Sequence, residues 1–238
     1  MSNLEETLSF ADNAFASKRN SNDIYRELIN RKNQASRSFS LVDSKLAKCC
    51  VLRAMDSPKA NRNGIIIEGL QHVMDSLKHD QNNVEALFAK CRLLGFEIQL
   101  NPKSFIANAK RALEINNLLS IISNADMEND EYYVMKGMLV FGAAGLSRYE
   151  KLMAKTLLNN SAALLNNASY QNAIKTFNNC RVKSIECLYY LANCYSKDKK
   201  KEDAERYYNQ LIKKPASNEY EREIIAYARE EVNKLRKK

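Results

Sequence analysis

The sequence predicts an all-α protein built from stacked antiparallel helical hairpins, and three observations carry that prediction. Apolar residues recur with the 3.6-residue period of an α-helix, as in the stripe Leu188, Leu191, Ala192 and Tyr195. The 238 residues include only 6 Gly and 3 Pro, too few for the many turns of a β-sandwich or barrel. An apolar share of 45% excludes a disordered chain and supplies a sizeable core.

Individual helices can be assigned in order along the chain. Ser2 and Glu5 form a capping box that opens a helix running towards Ser17. Further helices are predicted over 23–35, 41–55 and 132–146, and from 217 to the basic C-terminal end. Breaks are predicted at Pro58 and Pro102, and an acidic connector is predicted at 126–131.

One spacing of small and apolar residues recurs along the chain. Ala173, Phe177 and Cys180 have the same offsets as Ala204, Tyr208 and Leu211, which follow 31 residues later. Two earlier sets share these offsets, namely Phe105, Ala109 and Ala112, and Gly69, Val73 and Ser76. A helical hairpin that recurs with a period in the thirties is typical of an α-solenoid. An irregular helical bundle is the alternative, because any bundle also alternates small and large residues.

One of these hairpins resembles a known repeat family. Its residues, Leu188-x-x-Leu191-Ala192-x-x-Tyr195 followed by Ala204-x-x-x-Tyr208, resemble a tetratricopeptide (TPR) repeat. Leu211 departs from the family pattern, which has Ala there. The resemblance implies a TPR-like α-solenoid with a C-terminal capping helix. It divides the chain into an N-terminal helical segment, 1–37, and a repeat domain, 38–238, whose best repeats are 84–117, 154–184 and 185–216, with a cap at 217–238.

The same resemblance implies a function and a site. TPR-like solenoids bind partner segments in a concave groove lined by one face of each first helix. The positions that correspond in this chain are Glu85, Phe88, Arg92, Lys155, Leu158, Glu186, Tyr189 and Asn193. A groove with these apolar members suits an amphipathic helix or an extended peptide. We therefore expect a non-catalytic adaptor, scaffold or chaperone that binds a protein partner in the cytoplasm, and its oligomeric state stays open.

The charge distribution favours a second hypothesis. The net charge of +9 is concentrated at residues 17–63, which carry +7, and at the C-terminal end, whereas residues 64–180 are neutral. The cations of this basic segment that form the predicted patch are Lys18, Arg19, Arg26, Arg31, Lys32, Arg37, Lys45, Lys48 and Arg53. Such a segment is either an ordinary solvated surface or a binding site for RNA or an anionic surface.

Residues with catalytic or metal-binding chemistry are sparse. The chain has 2 His, at positions 72 and 79, and their spacing of seven predicts a semi-exposed surface pair rather than a metal site. The 6 Cys lie in a long chain with an adequate core and no signal-peptide pattern, which predicts buried, reduced thiols. No cofactor, metal ion, catalytic set or transmembrane segment is expected.

Overall fold

The protein is all-helical. The structure, a computed structural model, describes residues 3–34, 40–125, 128–157 and 162–237. Within these ranges it contains thirteen α-helices, a single turn of 3₁₀ helix and no β-strand. The described chain divides into two compact units, residues 1–103 and 104–238. The boundary expected from the sequence, after residue 37, falls in a stretch outside the described residues.

Unit 1 contains five helices. They are α1 (Asn3–Ala16), α2 (Ser21–Gln34), α3 (Ser40–Asp56), α4 (Arg62–His79) and α5 (Val84–Leu100). Helix α3 is central, since it packs against each of the other four. Helices α3, α4 and α5 approach one another closely at Gly69 of α4, where an added Cβ would lie 2.8 Å from Cys50 Cβ on α3 and 2.9 Å from Leu93 on α5. The absence of a side chain at Gly69 therefore allows the three helices to meet.

Unit 2 contains eight helices. They are α6 (Phe105–Asn124), α7 (Asp130–Ala144), α8 (Arg148–Leu157), α9 (Ala162–Asn166), α10 (Tyr170–Asn178), α11 (Ile185–Lys197), α12 (Lys201–Ile212) and α13 (Glu219–Arg236). Its main core lies between α7, α10 and α11 around Phe177, which is fully buried. The Phe177 ring stacks on Tyr190 with a centroid separation of 5.9 Å.

Side-chain caps fix where several helices begin. Asn83, Asn129, Ser169, Ser184 and Asn218 each accept a hydrogen bond from the backbone N–H three residues later. Short polar side chains at these positions satisfy N–H groups that have no partner within the helix, and they end the preceding connector. The polar clusters between apolar stripes therefore mark helix starts as well as loops.

Most of the helix predictions are confirmed. The observed bounds of α1, α2, α3, α7 and α13 lie within a few residues of those expected, and the connector positions Pro58 and Pro102 lie outside the α-helices. Residues 126 and 127 of the expected acidic connector lie outside the described residues. All six cysteines are free and buried. Within the described ranges, no helix has the length and apolar character that crossing a membrane requires.

The recurring spacing corresponds to buried packing in three of its four occurrences. Ala173 and Phe177 are buried on α10 and Cys180 is buried just after it, and Ala204, Tyr208 and Leu211 are buried on α12. Gly69, Val73 and Ser76 are likewise buried on α4, but the set that begins with Phe105 is only half-buried. The small and aromatic residues of the pattern therefore act as core residues on α4, α10 and α12.

Candidate functional site

The predicted groove residues of unit 1 lie on α5 and contribute mainly to internal contacts. The Glu85 carboxylate accepts hydrogen bonds from Lys45 and Lys48, each 3.1 Å away, and from the Ser44 hydroxyl at 3.0 Å. Phe88 is buried, and Arg92 is half-buried. Glu85 thus holds α5 against α3.

Two of the three predicted groove residues on α11, Glu186 and Tyr189, contact helix α13. The Tyr220 hydroxyl of α13 donates a hydrogen bond to the buried Glu186 carboxylate over 2.9 Å. The rings of Tyr189 and Tyr227 meet edge to face with their centroids 5.7 Å apart, and burial raises the pKa of Tyr189 to about 12. Asn193 donates its side-chain amide to the backbone oxygen of Tyr189. The C-terminal helix therefore packs on the face of α11 that the sequence assigns to partner binding.

The remaining predicted groove residues are Lys155, which lies on α8, and Leu158. Lys155 is exposed, and its ammonium group donates to the Asn166 side chain over 2.7 Å. Leu158 lies outside the described residues. Lys155 is thus the one described member of the predicted groove with an exposed side chain.

An open pocket of about 810 Å³ lies beside α8, between this helix and the first turn of α6. Its lining residues are Ser104, Phe105, Ile106, Ala107, Ser147, Tyr149, Glu150 and Met153. Tyr149 is 70% exposed, Leu152 on the next turn is 63% exposed and Ile106 is 49% exposed. Exposed apolar side chains grouped beside a pocket are typical of interaction sites. We call Ile106, Tyr149, Leu152 and Lys155 the α8 surface.

The start of α8 is held by a reciprocal cap. The Ser147 N–H donates to the Glu150 carboxylate at 2.8 Å, and the Glu150 N–H donates to the Ser147 hydroxyl at 3.2 Å. These hydrogen bonds from Ser147 lower the pKa of Glu150. The cap fixes the helix on which Tyr149 and Leu152 are presented. Sequence reasoning missed this surface, although the spacing of Tyr149, Leu152 and Met153 in a polar segment was an available amphipathic signal.

The predicted basic patch is extensively paired with acidic residues of unit 1. Among its eight described members, six form ion pairs with carboxylates: Arg26, Arg31, Lys32, Lys45, Lys48 and Arg53. Lys18 and Arg19 are exposed, and Arg19 lies over the Phe10 ring. Arg37 lies outside the described residues. Much of the positive charge counted in the sequence is therefore balanced locally.

The interior of unit 1 holds a polar chain that the sequence did not suggest. The expectation of a semi-exposed histidine pair is wrong for His72, which is buried on α4 while His79 is exposed. The His72 ring contacts Asp43 through Nδ1 at 3.1 Å and the Tyr25 hydroxyl through Nε2 at 3.0 Å. The Tyr25 hydroxyl in turn donates to Glu68 over 2.7 Å. Residues from α2, α3 and α4 are thereby joined inside the unit.

The comparisons with known proteins identify one protein family. The family model described as regulator of microtubule dynamics protein 1-3 matches residues 7–236. That range includes nearly all of both units. No curated protein matches the chain at a significant level.

Proposed function

Because the chain belongs to the regulator of microtubule dynamics protein 1-3 family, we propose that it regulates microtubule dynamics without catalysis, by binding a protein. The match over residues 7–236 is the observation that carries this proposal. It covers the α8 surface and the predicted groove positions. The proposal includes the cytoplasmic location expected from the sequence and an adaptor, scaffold or chaperone mode of action.

A TPR-like arrangement of the hairpins is part of the proposal. The pair α11 and α12, joined by a three-residue link, pack closely, and the rings of Tyr195 and Tyr207 stack between them at 5.3 Å. Ala204 and Tyr208 are fully buried, as the small and aromatic positions of such a repeat are expected to be. This packing supports the resemblance to a TPR repeat, most strongly for the repeat at 185–216.

We place partner binding at the α8 surface rather than at α11. The side chains of Glu186 and Tyr189 already contact α13, whereas Tyr149 and Leu152 are mostly exposed. An amphipathic helix or extended segment could insert an apolar side chain into the pocket and place an acidic group near Lys155. In this arrangement Lys155 is the part of the predicted groove that contacts the partner.

Single-microtubule fluorescence microscopy with purified tubulin tests this function. We expect the wild-type chain to change microtubule growth rate or catastrophe frequency. The double variant Tyr149→Ser/Leu152→Ser should need at least tenfold more protein for the same effect, because it removes the exposed apolar contacts. Val182→Ser is the matched control, since Val182 is 69% exposed but lies outside the pocket.

Two negative results would be distinguishable. A wild-type chain with no effect on dynamics would contradict the proposed regulation itself. If the double variant changed microtubule dynamics as strongly as the wild-type chain, only the assignment of partner binding to the α8 surface would be contradicted. The alternative hypothesis, binding of RNA or an anionic surface through residues 17–63, has less support because six of the patch cations are paired internally.

A further inference from the structure

A cluster of metal-ligating side chains lies between α3 and α4. Asp43, His72 and Asp75 each offer one ligand atom, and these three atoms lie within 4.8 Å of one another. Asp43 is fully buried and His72 is 9% exposed, whereas Asp75 is half-buried. His72 and Asp75 are three residues apart on α4, so they share one helix face. Ligands about 2.1 Å from a metal ion lie about 3 to 4 Å from one another, which is close to the spacing of this cluster.

One oxygen of the Asp43 carboxylate is left for a cation. Its Oδ1 contacts Lys32 Nζ at 2.6 Å and His72 Nδ1 at 3.1 Å. Its Oδ2 is buried, and no described residue donates a hydrogen bond to it. A buried carboxylate oxygen without a partner carries a desolvation cost that a bound cation would offset.

The hydrogen bonds around Tyr25 determine which nitrogen of His72 is available. Arg53 pairs with Glu68, and hydrogen bonds from Tyr25 and Arg53 outweigh the effect of burial and lower the pKa of Glu68. Glu68 is therefore a carboxylate that only accepts hydrogen bonds, so the Tyr25 hydroxyl donates its proton to Glu68. The Tyr25 oxygen must then accept from His72 Nε2–H. Nδ1 faces Asp43 Oδ1 at 3.1 Å and donates a proton in that contact, so a metal ion that binds Nδ1 would displace this proton to solvent.

We propose that Asp43, His72 and Asp75 form a binding site for a divalent transition-metal ion such as Zn²⁺. His72 would bind through Nδ1, and its other ring nitrogen donates to Tyr25, as metal-bound histidines usually donate to an outer partner. One imidazole with two carboxylates favours zinc and its first-row neighbours over Mg²⁺ and Ca²⁺, which prefer oxygen ligands alone. Lys32 remains on Oδ1 and balances part of the carboxylate charge. Tyr25 and Glu68 are positioning residues in this site.

Titration of the full chain with Co²⁺, a spectroscopic substitute for Zn²⁺, tests the site. The visible absorption of Co²⁺ reports nitrogen and oxygen ligands, and an intense near-ultraviolet charge-transfer band reports thiolate ligands. This distinction matters because the chain contains 6 Cys. We expect one Co²⁺ per chain, no thiolate band, and displacement of Co²⁺ by one equivalent of Zn²⁺. No binding by the wild-type chain, or a spectrum dominated by the thiolate band, would overturn the proposal.

Variants of the two histidines and of Asp75 give the matched comparison. His72→Ala and Asp75→Asn should weaken Co²⁺ binding at least a hundredfold, and Tyr25→Phe should weaken it about 10–100-fold because His72 loses its outer partner. His79→Ala should leave the affinity unchanged, since His79 is exposed on the same helix outside the cluster.

The half-buried Asp75 makes Asp75→Asn the variant that best preserves the fold, which circular dichroism verifies before the titration. Unchanged affinity in folded Asp75→Asn and His72→Ala would overturn the proposal. So would loss of binding in His79→Ala alone.

Discussion

The two units of the chain organise their interiors by different physical means. Unit 1 buries charged groups, and its Asp43 carboxylate, with no exposed surface, is held by Lys32 and His72 from two neighbouring helices. Unit 2 relies on aromatic rings and thiols, and its main core contains Phe177 and the buried Cys180, Cys187 and Cys194. Ion pairs fix specific partners at fixed distances, whereas apolar cores depend on the fit of shapes. The two units should therefore respond to different substitutions.

Removal of Lys32 should have the largest effect and should act in unit 1. Lys32→Met removes the lysine that pairs with the fully buried Asp43 carboxylate and leaves His72 as its remaining partner, so we expect a loss of about 3 kcal/mol in the free energy of unfolding. Urea unfolding followed by circular dichroism measures the loss, and hydrogen exchange at the α3 amides assigns it to unit 1. Arg26→Met is the control. Arg26 pairs with Asp23 at the surface, so its removal should change the free energy of unfolding little. Equal effects of the two substitutions would contradict the role given to the buried charges.

An added methyl group at Gly137 should reveal how strongly unit 2 depends on shape. A Cβ at this position of α7 would lie 2.5 Å from the Phe177 ring, so Gly137→Ala should cost about 1–3 kcal/mol through overpacking. Gly142→Ala on the same helix meets no atom within 4 Å and should raise stability by up to about 1 kcal/mol through helix propensity. Urea unfolding of both variants measures whether the free energy of unfolding falls in Gly137→Ala and rises in Gly142→Ala. Stabilisation by Gly137→Ala would contradict tight packing between α7 and α10.

The smallest effect concerns a polar group in the apolar unit. Tyr208 is fully buried, and no described residue accepts or donates a hydrogen bond at its hydroxyl. Tyr208→Phe should therefore raise the free energy of unfolding by about 1 kcal/mol. Tyr220→Phe is the comparison, because the Tyr220 hydroxyl donates to buried Glu186 and its removal should destabilise the protein. Thermal melts of the two variants should shift in opposite directions, and a lower melting temperature for Tyr208→Phe would contradict the account of its hydroxyl.

Sequence periodicity was sufficient to predict the helices of the recurring hairpins. The positions of Ala173, Phe177, Ala204 and Tyr208 repeat within one chain segment, and all four are buried. Such contacts join helices that are close in sequence, so their pattern is visible in the sequence itself. The C-terminal helix was also predictable, from its Asn218 cap and its basic last turn.

Contacts over long sequence separations were not predictable. Lys45 pairs with Glu85, 40 positions away, and Tyr25 meets His72 across 47 positions, so a count of charges or histidines could not show them to be paired or buried. For the same reason the sequence could not show that α13 contacts Glu186 and Tyr189. The exposure of Tyr149 and Leu152 likewise depends on which helices pack beside α8, and the sequence does not show that.

The central claim is that a protein partner binds at the α8 surface. Hydrogen–deuterium exchange of the chain with and without microtubules tests this claim most directly. Microtubules should slow exchange in α8 and in the first turn of α6, while α2 and α3 change little. Slower exchange confined to α2 and α3, with α8 unchanged, would contradict the claim and favour the basic segment at 17–63 instead.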